Sequence, residues 1–266
     1  MRHVGAIASR ELRSFFVSPV AYVVLTMWSV LAGTFFLSSL IGFQEDLIRA
    51  QQFQALDALE QMNLNDGLIL PFYGSMWIVL LFALPAITMG LFASEKANGT
   101  EELLLTSPVT IWEIVLGKFL AGVGFVSLMM AIVAFYPGLL FVYGDPEWGK
   151  TLSGLLGLFL VSVTYVSVGG FASALTRNQL VAFVLSLVLL LVIGMMLPFI
   201  VELGVARDAL GSSSALADVM RYIGTGEHFE QLLRGLVDTR DLAYFAIVTA
   251  TFLWLTKTAL ESVRWR

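Results

Sequence analysis

The chain has 266 residues, of which 58% are hydrophobic and only 13% charged, with no cysteine and a formal net charge of −5. Ordinary soluble domains are about 45–50% apolar and about 25% charged, so this composition argues against a soluble fold. Without cysteine there is no disulfide framework, thiolate metal site or cysteine nucleophile, and the acidic balance gives no nucleic-acid surface.

Six stretches lack Asp, Glu, Lys and Arg: 14–44, 67–94, 119–144, 151–176, 178–201 and 242–256. A spanning helix needs roughly 20 apolar residues, which the first five supply. Leu260 and Val263 extend the sixth past Lys257, whose stem can snorkel. The expected fold is an all-α membrane protein, one transmembrane domain over 1–266, with spans at 20–41, 69–92, 112–142, 152–175, 179–201 and 242–261. Arg2, Arg10 and Arg13 precede an apolar run too long for a signal peptide, so no cleavable leader is expected.

In chain order, residues 1–18 read as an interfacial helix. Val4, Ala8, Leu12 and Phe15 share one face, with Phe16 at its margin and Arg10 and Arg13 elsewhere. Pro19 disfavours helix through Ser18, so the chain turns there into the first span. Glu11, at the edge of the apolar face, either pairs with a basic residue of a cytoplasmic loop or faces headgroups. Segment 42–68 reads as an acidic amphipathic outer helix. With the N-terminus inside, nine of the fifteen Lys and Arg fall on the inner side, which places both termini in the cytoplasm.

The stretch ASEKANGTEELLLTSPVTIWEIVLGK, 93–118, is then cytoplasmic. Asn98 with Glu101 resembles a capping box, and Thr100 is the competing N-cap. Glu101 and Glu102 suit a first helical turn. Ser107 with Pro108 is expected to end this short helix, within 98–107, and to cap the next. Leu103, Leu104 and Leu105 point around more than half a helix, which a mere connector does not need; docking on a partner explains them. The fourth span carries Gly154, Gly157, Ser162, Thr164, Ser167, Gly169 and Gly170, small residues that suit close helix packing or a translocation surface. Segment 202–241 shows two short helical patterns, around 213–223 and 227–237, and reads as an external hairpin between the last two spans.

Several chemistries are disfavoured. Gly117-Lys118 lacks the upstream glycine of a phosphate loop and is followed by Phe119 rather than Ser or Thr. An intramembrane protease built on Ser75 lacks a base. Ion-coupled transport usually leaves ionisable residues in the span interiors. A metal role for His228 has little support, since His3 is the other histidine.

Residues 84–121 resemble the signature of permease subunits of type-2 ABC exporters. The matching positions are Glu95-Lys96, Gly99-Thr100, Glu102, Leu104-Leu105, Ser107-Pro108 and Gly117-Lys118. The resemblance implies that this segment, with Glu101 and Leu103, is a coupling helix seated on a separate ATPase. It also implies that Arg10, Glu11 and Leu12 belong to an elbow helix. Residues 226–256 are similar to the gliding-motility-associated (GldF-like) permeases through His228, Phe229, Arg234, Gly235, Asp238, Tyr244 and Phe245. Pro85 and Met89 also fit, whereas Gly90 stands where that family often has arginine. The implied function is an ATP-driven exporter in a bacterial inner membrane, working as a permease dimer with two ATPase subunits. ATP and magnesium belong on the partner, and this chain is expected to hold no cofactor or metal and to catalyse nothing. The resemblance places an external gate at His228, Phe229, Arg234, Gly235 and Asp238. It places a dimer contact at Phe36, Ser39 and Leu40 against 179–200 of the second copy. Uncharged spans suit an amphiphilic or lipid-linked cargo. Alternatives are a mechanotransmission subunit that acts on an extracytoplasmic partner, and a structural anchor.

Overall fold

The computed structural model describes residues 2–54, 59, 62–100, 109–196 and 222–264. Every element among them is helical. Six helices are long and apolar enough to cross a membrane: Pro19–Gln52, Asn65–Asn98, Ile111–Tyr143, Trp148–Leu175, Gln179–Met196 and Thr239–Ser262. The all-α, six-span expectation therefore holds. The helices are α1 (Arg2–Val17), α2 (Pro19–Gln52), α3 (Leu70–Thr88), α4 (Gly90–Asn98), α5 (Ile111–Tyr143), α6 (Trp148–Leu175), α7 (Gln179–Leu191), α8 (Thr225–Leu233) and α9 (Thr239–Arg264). A π-helical turn, Asn65–Ile69, leads into α3, and another, Val192–Met196, prolongs α7.

Local chemistry sets the helix ends. Ser18 has extended backbone, its hydroxyl accepts from the Val20 N–H, and Pro19 occupies the first helical position of α2. The Asn178 side chain likewise accepts from the Leu180 N–H to start α7. The third span begins later than Ser107-Pro108 suggested. Its N-cap is Thr110, whose hydroxyl accepts from the Glu113 N–H while the Glu113 carboxylate accepts from the Thr110 N–H. That reciprocal box satisfies two donors at once, which a lone serine cap does not. Asn98 is the last residue of α4 rather than the cap of a new helix.

Two connections differ from the sequence reading. Residues 42–52 continue α2 instead of starting a separate outer helix. At 1.5 Å per residue α2 is about 50 Å long, against about 30 Å of hydrocarbon, so one end projects into water. The second span bends at Met89, between α3 and α4. Pro85, inside α3, has no N–H to give the helical ladder. At the bend the Ser173 hydroxyl of α6 accepts from the N–H groups of Phe92 and Ala93, both at 3.0 Å, and donates to the Met89 carbonyl at 2.8 Å. A single side chain thus satisfies the backbone groups that a break inside lipid would orphan.

Helix α6 is the hub and packs against α3, α4, α5, α7, α8 and α9. Its small residues serve that intrachain packing. A Cβ on Gly169 would collide with the Thr88 hydroxyl, and one on Gly157 would crowd Leu232 and Phe229 of α8. Ser162, Thr164 and Ser167 donate to carbonyls of their own helix, so burial leaves those hydroxyls satisfied. Aromatic polar atoms tie the remaining spans. The Trp28 indole donates to the Met129 carbonyl at 2.9 Å, the Tyr136 hydroxyl to the Ser29 carbonyl at 2.9 Å, and the Trp77 indole to the Tyr165 hydroxyl at 3.0 Å.

Candidate functional site

Helices α1, α4 and α5 meet at one end of the bundle, the end from which segment 101–108 leaves α4 and returns to α5. Helix α1 lies against α5 through Ile7, Leu12, Phe15 and Phe16. Gly117 makes this contact possible: a Cβ there would sit 2.6 Å from an Ile7 methyl and 3.3 Å from the Val4 carbonyl. With Ile7 included, the half-buried face of α1 runs through positions 4, 7, 8, 11, 12 and 15, and Glu11 falls inside it.

That position lets Glu11 meet Lys118. The Lys118 ammonium, on a side chain 2% exposed, lies 2.8 Å from the Glu95 carboxylate and 3.5 Å from that of Glu11. Arg10 bonds the same Glu11 oxygen at 2.8 Å, and the Phe92 ring lies 5.4 Å from the ammonium. Of the two partners open to Glu11 in the sequence, the structure selects a basic residue, one on the third-span helix. Lys96, next to Glu95, donates to the Ala174 carbonyl at 2.6 Å and so ties α4 to the end of α6. A buried ammonium is costly in an apolar setting unless it is paired and hydrogen-bonded. Lys118 meets that condition with carboxylates from two different helices, so it clamps α1, α4 and α5 together.

Beyond the clamp, Gly99 takes φ +71° and ends α4. That left-handed turn favours glycine. The Thr100 N–H donates to the Glu95 carbonyl at 3.1 Å and the Thr100 hydroxyl donates to the same oxygen at 3.3 Å. Glu95, Lys96, Gly99 and Thr100 therefore form the anchored stem of the expected coupling segment. Glu101, Glu102, Leu103, Leu104, Leu105, Ser107 and Pro108 lie outside the described residues.

At the opposite end, α8 docks on α6 and the start of α9. His228, Phe229, Leu232 and Leu233 are buried. His228 is stacked on Tyr244, with ring centroids 4.0 Å apart. Its Nε2 donates to the Tyr222 carbonyl at 3.0 Å, and its Nδ1 lies 2.6 Å from the Asp241 carboxylate. Phe229 packs on Trp77. Arg234 forms an exposed ion pair with Glu230. Gly235 takes φ +87° with Lys150 packed against it. Asp238 accepts from the Arg240 N–H at 3.1 Å, and that bond holds its carboxyl below the usual aspartate range. The expected gate residues thus divide: His228 and Phe229 fix α8, while Arg234, Gly235 and Asp238 shape the turn after it. The sequence reading missed Asp241, whose sequence signal is only its place in the first turn of α9. Of the expected hairpin over 202–241, the stretch 202–221 lies outside the described residues.

Phe36 faces inward. It is 7% exposed and packs on Phe72 and Tyr136 with centroids 5.5 and 5.4 Å away. Its ring is therefore not available to a second copy. Ser39 and Leu40 are half-buried, and the exposed stripe of α2 runs through Val30, Leu37 and Ile41.

These features define an integral-membrane subunit: six apolar helices, no phosphate loop in the sequence, and a clamped stem at the end where residues 101–108 join α4 to α5. The chain belongs to the ABC-2 family of transporter proteins, whose model matches residues 6–260. This family forms the membrane component of ABC transporters and not the ATPase, which makes the chain a multi-pass permease subunit and implies an ABC ATPase partner. A comparison with curated proteins finds no match to the chain.

Proposed function

We propose that this permease works as a dimer with two separate ATPase subunits and exports an amphiphilic or lipid-linked substrate, with ATP and magnesium bound by the partner. Both termini and segment 101–108 face the cytoplasm of a bacterial cell, and that segment is the coupling helix. The GldF-like resemblance of residues 226–256 belongs to this proposal. So does a dimer face on α2, now centred on Val30, Leu37 and Ile41 rather than Phe36.

The observation that carries the proposal is the clamp. Segment 101–108 is bounded by α4 and α5, and Lys118 of α5 holds Glu95 of α4 at 2.8 Å. A push on the segment therefore reaches α1 through Glu11 and α6 through Lys96, with no slack loop between. The test is Leu104→Asp combined with Glu102→Lys. A buried leucine contributes about 1.5–3 kcal/mol, so the doubly changed chain should insert normally yet lose most ATPase co-purification. Wild-type co-purification and wild-type ATPase stimulation would make the segment a plain connector.

A mechanotransmission role is the second reading. It is favoured by the projecting end of α2, which carries Glu45, Asp46 and Arg49 beyond the apolar stretch. Reconstituted vesicles separate the two: the exporter moves a chemical species across the bilayer and the transmitter moves none.

A further inference from the structure

A groove of about 720 Å³ lies between α1, the first half of α2, the α3–α4 bend and α5. Its size falls within the roughly 300–1,000 Å³ of small-molecule sites. Ala21 and Trp28 lining it are buried, whereas Val20 and Met27 are exposed, so it opens along α2 toward the surroundings of the bundle. In a spanning chain those surroundings are lipid. The Trp28 indole is committed to the Met129 carbonyl, so this part of the wall presents apolar surface.

The groove is polar at one end only. Glu11, Glu95 and Lys118 line that end, and Leu31 and Val79 lie along its apolar remainder. From Ser18 to Leu31 its α2 wall is about 20 Å long at 1.5 Å per residue. One leaflet is about half of the roughly 30 Å hydrocarbon core, so the groove reaches from headgroup depth to near the midplane. The charges at the polar end balance: Glu11 and Glu95 are matched by Lys118 and by Arg10 on Glu11. Among the described residues that line the groove, this end offers no surplus cation to select an anionic head.

We propose that this groove binds an acyl chain of a zwitterionic inner-leaflet phospholipid, with its head against the Glu11–Lys118–Glu95 clamp. The site deepens the export reading by naming where a lipid-chain substrate enters, and it rests on that reading for the leaflet and for taking the bound lipid as cargo. The ligand then touches the same lysine that joins the coupling stem to α1, which links occupancy to the ATPase.

The test uses the permease–ATPase complex in nanodiscs of phosphatidylethanolamine and phosphatidylglycerol, doped with phosphatidylethanolamine bearing a photoreactive diazirine on one acyl chain. Labelled peptides are mapped after illumination. Labelling across Val20–Leu31 and Val79–Leu91 is expected to exceed that on the exposed face of α9 around Ile247 and Trp254. Ala83→Trp, which fills the groove, should reduce it to the α9 level and leave α9 unchanged. If that variant does not fold, Ala86→Leu serves in its place. No enrichment in the wild-type groove, or enrichment that survives both substitutions, overturns the proposal. A disulfide-linked dimer formed by Ala83→Cys in this otherwise cysteine-free chain also overturns it and assigns the groove to a second copy. Groove labelling without lipid movement in phosphatidylethanolamine vesicles keeps the site and removes the cargo reading.

Discussion

Replacing Lys118 by Met tests the clamp directly. Methionine keeps most of the aliphatic volume and removes the charge, so packing changes little. What remains is Glu95, 22% exposed, and Glu11, 15% exposed, the latter still bonded to Arg10. Removing one member of a buried ion pair costs about 3–5 kcal/mol when the other is left dry. Here both carboxylates keep some water, so the expected loss is about 2–3 kcal/mol, just below that range. Glu95→Gln should cost less and Glu11→Gln least, because the Glu11 contact is the longer, at 3.5 Å. The double variant Lys118→Met with Glu95→Gln should recover part of the loss, since it leaves no unpaired charge on the stem. Two measurements check this in detergent: the unfolding midpoint, and the rate of trypsin cleavage at Arg10 and Arg13, which rises when α1 leaves α5. A double-mutant cycle with zero interaction energy, or unchanged cleavage in Lys118→Met, would show that the cluster is not a clamp.

Gly117→Leu should separate α1 from α5, because its Cβ alone would sit 2.6 Å from an Ile7 methyl; faster cleavage at Arg10 with an otherwise intact chain is the expected result, and unchanged protection refutes it. Single cysteines at Asn98 and Arg177 should resist an impermeant thiol reagent in intact cells while those at Gln54 and Ser213 react, and labelling at position 98 from outside reverses the topology. The Asp238 carboxyl is held below the usual aspartate range chiefly by the Arg240 N–H. Its contribution to the start of α9 is therefore present at neutral pH and lost as pH falls through the folded value. Amide protection at 239–242, taken relative to the intrinsic exchange rate at each pH, should fall on such acidification in the wild type and be low already at neutral pH in Asp238→Ala; identical protection in both removes the cap. Gly157→Leu should detach α8 from α6, because the added carbon meets Leu232 and Phe229, and exchange across 225–233 reports it.

The sequence by itself settled what local chemistry controls. Charge-free runs located the six spans, because hydrocarbon admits few ionised groups wherever the helix then packs. The break at Ser18-Pro19 was legible because a proline restricts its own neighbours. The Thr110–Glu113 box has an equally local signature in its three-residue spacing, yet the reading favoured Ser107-Pro108, an equally plausible pattern a few residues upstream. Tertiary structure decided everything that depends on how helices rotate and cross. Glu11 could face headgroups or a cation until the contact of Ile7 with Gly117 turned it toward Lys118. Phe36 could face a second copy until Phe72 and Tyr136 were placed beside it. His228 meets the Asp241 carboxylate, while Asp238 bonds the Arg240 N–H at the start of the same helix. Hydropathy fixes a helix's depth in the membrane but is almost blind to its rotation when nearly every face is apolar. Only packing against specific neighbours sets that angle, and with it which few polar side chains meet.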